Sequence, residues 1–118
     1  MMTVALGPLI DALSVLRNLH SGMTLAQAQV FLEIVLNPHI QQVKLAETAG
    51  LDDSSISRIA ALLSNYGSRN TEGLGLIKID IDENDRRYRT FSLTAKGERV
   101  RDQLAKMVGA YYGRKKEG

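Results

Sequence analysis

Cysteine is absent from this sequence of 118 residues, and histidine occurs only twice, at His20 and His39. The lack of cysteine excludes disulfides, a thiolate nucleophile and zinc sites with cysteine ligands. Two isolated histidines do not form a metal site by themselves, and we expect each of them to have a surface or helix-end role. The sequence therefore predicts no metal and no other cofactor.

Long apolar runs are also absent. No segment approaches the roughly 18 uninterrupted apolar residues that a membrane-spanning helix needs, and the N-terminus MMTVALGPLIDAL lacks the basic start of a secretory signal. We therefore expect a soluble cytoplasmic protein with no membrane partner. Its length and its 44% content of hydrophobic residues suit one domain, residues 1–118, with one core.

The usual arrangements of catalytic residues are missing as well. The sequence has no nucleophile and base near a glycine-rich turn, no phosphate-binding loop and no set of residues with metal-ligand spacing. Its one acidic cluster is typical of a turn, with a weak cation site as the alternative. We predict that the protein is not an enzyme. The cluster comprises Asp80, Asp82, Glu83 and Asp85.

The two parts of the chain differ in charge. Residues 1–85 contain five Lys or Arg and ten Asp or Glu, a net charge of −5, whereas residues 86–118 contain ten and three, a net charge of +7. The overall charge of +2 thus hides an asymmetry that predicts one electropositive surface. For the basic tail at residues 114–116, a role in solubility alone is an equal alternative.

The sequence does contain a helix-turn-helix pattern between Gln42 and Ala61. Two helices that cross at a steep angle need a small residue where they touch, here Ala46, and a residue that turns the corner with positive φ, here Gly50. The pattern predicts that the second helix presents its outward face to the major groove of duplex DNA. The apolar positions with the matching spacing are Leu45, Ala49, Leu51, Ile56 and Ile59.

Apolar spacing and capping residues predict four helices in the first half of the chain. The first runs from about Leu9 to His20, after Gly7-Pro8, and the second runs from the N-cap Thr24 to Leu36. The two helices of the corner span about residues 42–49 and 53–65, the latter capped by Asp52 or Asp53. In the second helix we expect these residues to face inward: Leu25, Ala28, Phe31, Leu32 and Val35.

A β-hairpin and a last helix follow. Isoleucine alternates with polar residues over 77–82, residues 83–86 form a turn, and residues 87–93 return as a strand rich in Tyr, Thr and Phe. Thr94 caps a helix that continues through Val100, Leu104 and Tyr111. The fold class is therefore mainly α with a small β-hairpin: a winged helix-turn-helix in which four helices precede the hairpin and one follows it.

The hairpin region carries D-x-x-D-R-R followed by L-T-x-x-G. Together with L-A-E at 45–47 and I-S-R-I at 56–59, this string resembles the wing and flanks of MarR-like transcriptional regulators over about residues 25–109. The resemblance implies a homodimer on a near-palindromic operator, with the recognition helix in the major groove and the wing in the minor groove. The motif residues are Asp82, Asp85, Arg86, Arg87, Leu93, Thr94 and Gly97.

Three features depart from the MarR-like pattern. The segment 67–75 is longer than the usual link between recognition helix and wing. The terminal segments, which in this family build the dimer interface and the effector cleft, are short, and this disfavours a pocket for a small-molecule effector. The recognition helix carries Arg58 as its one basic residue, next to Asp52 and Asp53.

The candidate DNA contacts lie on the recognition helix, the link and the wing. Arg58 is suited to grip guanine O6 and N7, and Ser54 and Ser55 either cap the helix or bind phosphate through backbone N–H groups. Arg86 and Arg87 are minor-groove probes or ion-pair partners of the hairpin acids, and Lys78 is a further phosphate contact. The helix turns Ile56, Ile59, Leu63 and Tyr66 inward and Ala61 outward. The candidate set is Ser54, Ser55, Ser57, Arg58, Asn65, Arg69, Arg86 and Arg87.

These features predict sequence-specific binding of double-stranded DNA by a homodimeric transcriptional regulator, most simply a repressor. The alternative is a winged helix that serves as a protein interaction module, in which the polar helix and the acidic first part of the chain dock on a partner protein. The sparse positive charge on the recognition helix motivates this alternative.

Overall fold

A computed structural model describes residues 2–65, 72–85 and 88–117 of the chain; for residues 2–5 and 109–117 it describes the backbone alone. Arg69, Arg86, Arg87 and Tyr66 lie outside the described residues. The elements, in chain order, are α1 (Met2–Leu19), α2 (Leu25–Leu36), β1 (Ile40–Gln41), α3 (Gln42–Ala49), α4 (Asp53–Leu63), β2 (Ile77–Ile81), β3 (Arg89–Leu93) and α5 (Ala95–Glu117).

The chain divides into two compact units. One unit comprises residues 24–98, and the other comprises residues 1–23 together with residues 99–118. The first unit contains the helix-turn-helix, the sheet and the start of α5. The second contains α1 and the rest of α5, and its buried apolar side chains include Leu16, Val100 and Leu104.

Helix α2 begins and ends where the sequence predicts. The Thr24 hydroxyl accepts the Gln27 N–H at 3.1 Å, and the Gln27 side chain accepts the Thr24 N–H at 3.0 Å, which is a reciprocal capping box. At the other end Asn37 is the C-cap, because Pro38 cannot continue the helix. These boundaries depend on chemistry within a few residues, and this explains why the sequence predicts them correctly.

The inward face predicted for α2 is partly wrong. Leu25 is 82% exposed and Leu32 is 39% exposed, whereas Val30 and Ile34 are fully buried beside Phe31. The helix is apolar on most sides, so apolar spacing does not choose its buried side. That choice comes from α3, α4 and β3, which all contact α2.

Helix α1 begins earlier than predicted. It starts at Met2 and continues through Pro8, although the proline ring removes the amide hydrogen that would bond to the carbonyl of Val4. A proline leaves the other helical hydrogen bonds in place, so the residues before it can still be helical. The apolar side chains of Leu6, Leu9, Ile10 and Leu13 are between 40% and 61% exposed.

The sheet contains a third strand that the sequence does not predict. Strand β3 lies between β1 and β2 and is antiparallel to both, with Phe91 opposite Ile40 on one side and Ile79 on the other. Phe91 is fully buried, so this row of apolar residues joins the hairpin to the core. A strand of two residues is too short to show an alternation in the sequence. The strand that pairs with it lies about fifty residues further along the chain, so no local pattern indicates the pairing.

The L-T-x-x-G motif forms the junction between sheet and α5. The Thr94 hydroxyl accepts the Gly97 N–H at 3.0 Å and donates to the Gly75 carbonyl at 2.6 Å. The predicted cap of the last helix is therefore correct. Lys96 Nζ also donates to the Leu74 carbonyl at 2.9 Å, so that the first turn of α5 is tied to the segment before β2.

The core of the winged-helix unit is made of side chains from α2, α3, α4, the segment before β2 and all three strands, Ile40 of β1 included. The largest fully buried apolar residues are Val30, Phe31, Ile34, Leu45, Ile56, Leu63, Leu76, Ile77 and Phe91.

In the described part of the chain, no helix combines the length and the apolar character needed to cross a membrane.

Candidate nucleic-acid interface

The corner between α3 and α4 depends on Gly50. Its φ of 70° and ψ of 32° place it in the left-handed region, which glycine adopts without strain. The Gly50 and Leu51 N–H groups bond to the last carbonyls of α3, on Ala46 and Glu47, and so end that helix. The chain then turns directly into α4, and the predicted role of Gly50 is confirmed.

Asp52 is the N-cap of α4. Its Oδ1 accepts the Ser55 N–H at 2.7 Å and the Ser54 hydroxyl at 3.1 Å. The hydrogen bonds from Ser55 hold the pKa of the Asp52 carboxyl below its usual value, since they favour the charged form. Asp53, the other predicted cap, is instead the first helical residue. Its carboxylate accepts from Gln42, because it points back toward the start of α3.

The two sides of α4 differ as a recognition helix requires. Ile56, Ala60 and Leu63 are almost fully buried, so the inward positions of Ile56 and Leu63 are confirmed, and Ala60 joins them. Ile59 and Ala61 are half-buried, so each lies between the two sides rather than wholly in or out. The candidate contacts Ser54, Arg58 and Asn65 are exposed, and Ser55 and Ser57 are half-buried.

Helix α4 ends at Leu63, two residues before the predicted end. The N–H groups of Leu74 and Leu76 donate to the carbonyls of Leu62 and Leu63 at 2.8 and 2.7 Å. Those carbonyls thus bond to the incoming strand segment, and the next turn of helix is replaced. Asn65 consequently follows the helix instead of belonging to it.

Arg58 borders an open depression of about 320 Å³ on this unit. Its guanidinium is exposed, and it is the basic side chain that the described part of α4 carries. Such a group can bind guanine O6 and N7 with two parallel hydrogen bonds or pair with a phosphate. The depression is lined by residues from the start of α2, the corner before α4 and α4 itself: Ala26, Gln27, Leu51, Ser55, Arg58 and Ile59.

The hairpin supplies both signs of charge. Lys78 and Arg89 are exposed on its two strands. Arg89 is not among the DNA contacts that the sequence predicts. Of the acidic cluster, Asp82 stabilises the turn as predicted: its Oδ1 accepts the Asn84 N–H at 2.8 Å. The Tyr88 N–H donates to the backbone carbonyl of Asp85 at 2.9 Å. Within residues 2–65, 72–85 and 88–108, no group of three metal-binding side chains comes together.

Gln42 is the residue near this surface that sequence reasoning missed. Its side chain is buried, with 6% exposure, and its Nε2 donates to Ser57 Oγ at 2.9 Å. A glutamine that opens a helix is ordinarily read as exposed, because glutamine is mostly exposed in proteins. Only the crossing of α3 and α4 brings it against Ser57.

The sequence matches no family model, and no curated protein is significantly similar to it. Solved structures do match. The PcaV transcriptional regulator from Streptomyces coelicolor, in complex with its natural ligand, is 28% identical with a TM-score of 0.55, and the match covers 78% of this chain and 62% of that chain. This chain thus spans about three fifths of that relative.

Two further structures match over more of the chain. MarR is 25% identical with a TM-score of 0.59, and the match covers 90% of this chain and 76% of that one. A transcriptional regulator from Thermotoga maritima is 19% identical with a TM-score of 0.69 and covers 96% and 72%. These neighbours support the resemblance that the hairpin motif indicates, as do the order of the elements and the capped corner. The chain has the winged helix-turn-helix fold of MarR-like transcriptional regulators.

Proposed function

We propose that the protein is a transcriptional regulator that binds double-stranded DNA as a homodimer in the cytoplasm, most simply as a repressor, and that it is not an enzyme. The observation that carries the proposal is the two-sided character of α4. Its buried side anchors it through Ile56 and Leu63, and its other side exposes Arg58 beside small polar residues. Small side chains let a helix approach the floor of the major groove closely, where base edges are read.

The position of each candidate residue determines the kind of DNA contact that we assign to it. Phosphate contacts supply most of the affinity and its salt dependence, whereas contacts to base edges supply sequence preference. We assign Ser57 and Arg58 to base reading. We assign Ser54, Ser55 and Asn65, at the ends of α4, and Arg69, in the link 67–75, to the DNA phosphate backbone. Arg86, Arg87 and Arg89 are assigned to the minor groove beside the hairpin. The Ser55 N–H and the Ser55 side chain both bond to Asp52, so a phosphate contact at Ser55 would compete with that carboxylate.

Dimer formation is supported by α1. Leu6, Leu9, Ile10 and Leu13 recur with the spacing of one helix face and are all at least 40% exposed. Burial of such a stripe against a second copy removes apolar surface from water. A two-fold dimer then places its two α4 helices on half-sites about 34 to 36 Å apart, one turn of DNA.

A protein interaction module is the second candidate function. An open depression on the hairpin favours it, because it is lined by exposed Asp80 and Asp82 together with Ile81 and Tyr88, which are 50% and 47% exposed. An acidic face with apolar side chains suits a basic protein segment better than a phosphate backbone.

Fluorescence anisotropy with random-sequence duplex, repeated over a range of salt concentrations, separates the two functions. A DNA-binding protein gives an affinity that falls steeply as salt rises, because bound phosphates release their counterions. Absence of binding at about 50 mM salt would instead favour the interaction module. Selection of bound duplexes from a random pool then tests the half-site spacing, and a footprint without two-fold symmetry contradicts the homodimer.

A further inference from the structure

The side chain of Gln42 links the start of α3 to α4. Its Nε2 lies 2.9 Å from Ser57 Oγ, 3.1 Å from Asp53 Oδ1 and 3.4 Å from the Asp53 carbonyl oxygen. The side chain is buried, with 6% exposure, and its Oε1 has no hydrogen-bond partner among the residues that the structure describes. This arrangement is unusual, since buried polar atoms are nearly always bonded.

The chemistry of the neighbours determines which amide atom faces Ser57. A carboxylate oxygen and a carbonyl oxygen only accept hydrogen bonds, so the Gln42 atom beside Asp53 must be the nitrogen. The lone pair of an amide nitrogen is delocalised, and the nitrogen therefore donates but does not accept. Its two hydrogens go to the two nearer atoms, Ser57 Oγ and Asp53 Oδ1.

The hydroxyl of Ser57 is thereby restricted in its orientation. A serine hydroxyl has one hydrogen to donate and two lone pairs. Because one lone pair is occupied by Gln42, the hydrogen points away from Gln42. Ser57 is half-buried, and its hydroxyl makes no other hydrogen bond within the described part of the chain. It is available to a molecule that lies against α4.

We propose that Gln42 is a positioning residue that makes Ser57 a hydrogen-bond donor toward DNA, an inference that rests on the proposed function. Ser57 then donates to one acceptor, either N7 of a purine or a phosphate oxygen. Without Gln42 the hydroxyl hydrogen would gain a further orientation, away from the DNA, and the hydrogen bond to DNA would be weaker.

Stability alone does not account for Gln42. Its unpaired Oε1 carries the cost of a buried polar group, and methionine, which has a similar length, has no such atom. Ser57 and Asp53 retain access to water and can be solvated without it. Gln42→Met is therefore expected to keep or raise the melting temperature while it weakens the hydrogen bond from Ser57 to DNA.

The experiment uses the full chain and a duplex selected from a random pool. Each purine of one half-site is replaced in turn by its 7-deaza analogue, which lacks the N7 acceptor, and each phosphate by a methylphosphonate. At one position we expect the wild type to lose about 3- to 10-fold in affinity, the worth of one neutral hydrogen bond. A response to the 7-deaza scan identifies a base acceptor, and a response to the methylphosphonate scan identifies a phosphate.

Variants then test the role of Gln42. Ser57→Ala and Gln42→Met should each lose the response at that position, whereas Thr48→Ala, which removes an exposed hydroxyl of α3, should retain it. Retention by Gln42→Met, or by Ser57→Ala, overturns the inference. A large fall in melting temperature for both Gln42→Met and Gln42→Leu also overturns it, because Gln42 would then be structural.

The failure of this inference is distinguishable from failure of the proposed function. A wild type that binds duplex with steep salt dependence but responds at no position of either scan overturns the inference alone. A wild type that binds no duplex at low salt removes both.

Discussion

The carbonyl oxygen of Leu76 lies so close to Gly97 that a Cβ atom on Gly97 would come within 3.0 Å of it, nearer than real Cβ atoms come to such atoms. The same carbonyl accepts the Thr94 N–H at 3.1 Å. Glycine in L-T-x-x-G is thus required by the approach of α5 to the backbone before β2, and not by a special φ.

Gly97→Ala is the first prediction. Helix propensity alone would make this change stabilising by about 0.5 to 1 kcal/mol, whereas the clash with Leu76 predicts a loss of about 1 to 3 kcal/mol or more. Urea denaturation decides the sign. Glu98→Ala, an exposed change in the same turn, should alter stability by about 0.5 kcal/mol at most. A stabilised Gly97→Ala protein would show that α5 does not pack here.

Gly50 permits a second prediction, because its backbone is left-handed while an added Cβ would meet no atom within 4 Å. Gly50→Ala should therefore lose about 1 to 2 kcal/mol through backbone strain alone. Gly50→Asn should lose less, since asparagine tolerates this conformation. Thermal and urea denaturation of the two variants give the comparison, and equal losses would argue against strain as the cause.

Asp52 predicts a dependence of stability on pH. Its pKa is lowered in the folded protein, so the unfolded chain binds the proton more readily, and stability from this group rises with pH. The contribution is complete above the usual pKa of 3.8 and is lost as pH falls through the lowered folded value. The difference in stability between wild type and Asp52→Asn should shrink in that window. A constant difference down to strongly acidic pH would exclude the cap as its source.

Arg58→Ala tests base reading directly. Loss of a bidentate contact should cost about 1 to 3 kcal/mol on the selected duplex and leave binding to random duplex much less affected. Arg58→Lys keeps the charge but not the planar pair of donors, so it should recover affinity more than selectivity. Arg87→Ala is expected to weaken binding to all sequences evenly. If Arg58→Ala lowers both affinities equally, Arg58 contacts phosphate only.

The apolar stripe of α1 predicts how the proposed dimer responds to charge. Ile10 is 61% exposed, and Ile10→Glu should shift sedimentation toward the monomer, because a carboxylate is costly to bury in an apolar interface. Leu36→Glu introduces the same charge at a residue of α2 that is 76% exposed, and it should leave association unchanged. Dimers that survive Ile10→Glu at low concentration would place the interface elsewhere.

The sequence by itself determines the features that depend on neighbours along the chain. Thr24, Asp52 and Thr94 cap helices through hydrogen bonds that span three residues, and Gly50 turns a corner that other residues would strain. Alternation over 77–81 likewise predicts β2, since period two requires no knowledge of the partner strand.

Tertiary structure alone decides which surfaces of these elements meet. Leu25 is exposed and Val30 is buried because α3, α4 and β3 select one side of an almost uniformly apolar helix. Strand β1 exists because β3 offers it a pairing edge, and α4 stops at Leu63 because the segment before β2 binds its last carbonyls. Gln42 is set against Ser57 by the crossing of two helices. Burial and hydrogen bonding between distant residues depend on three-dimensional proximity, which local spacing does not encode.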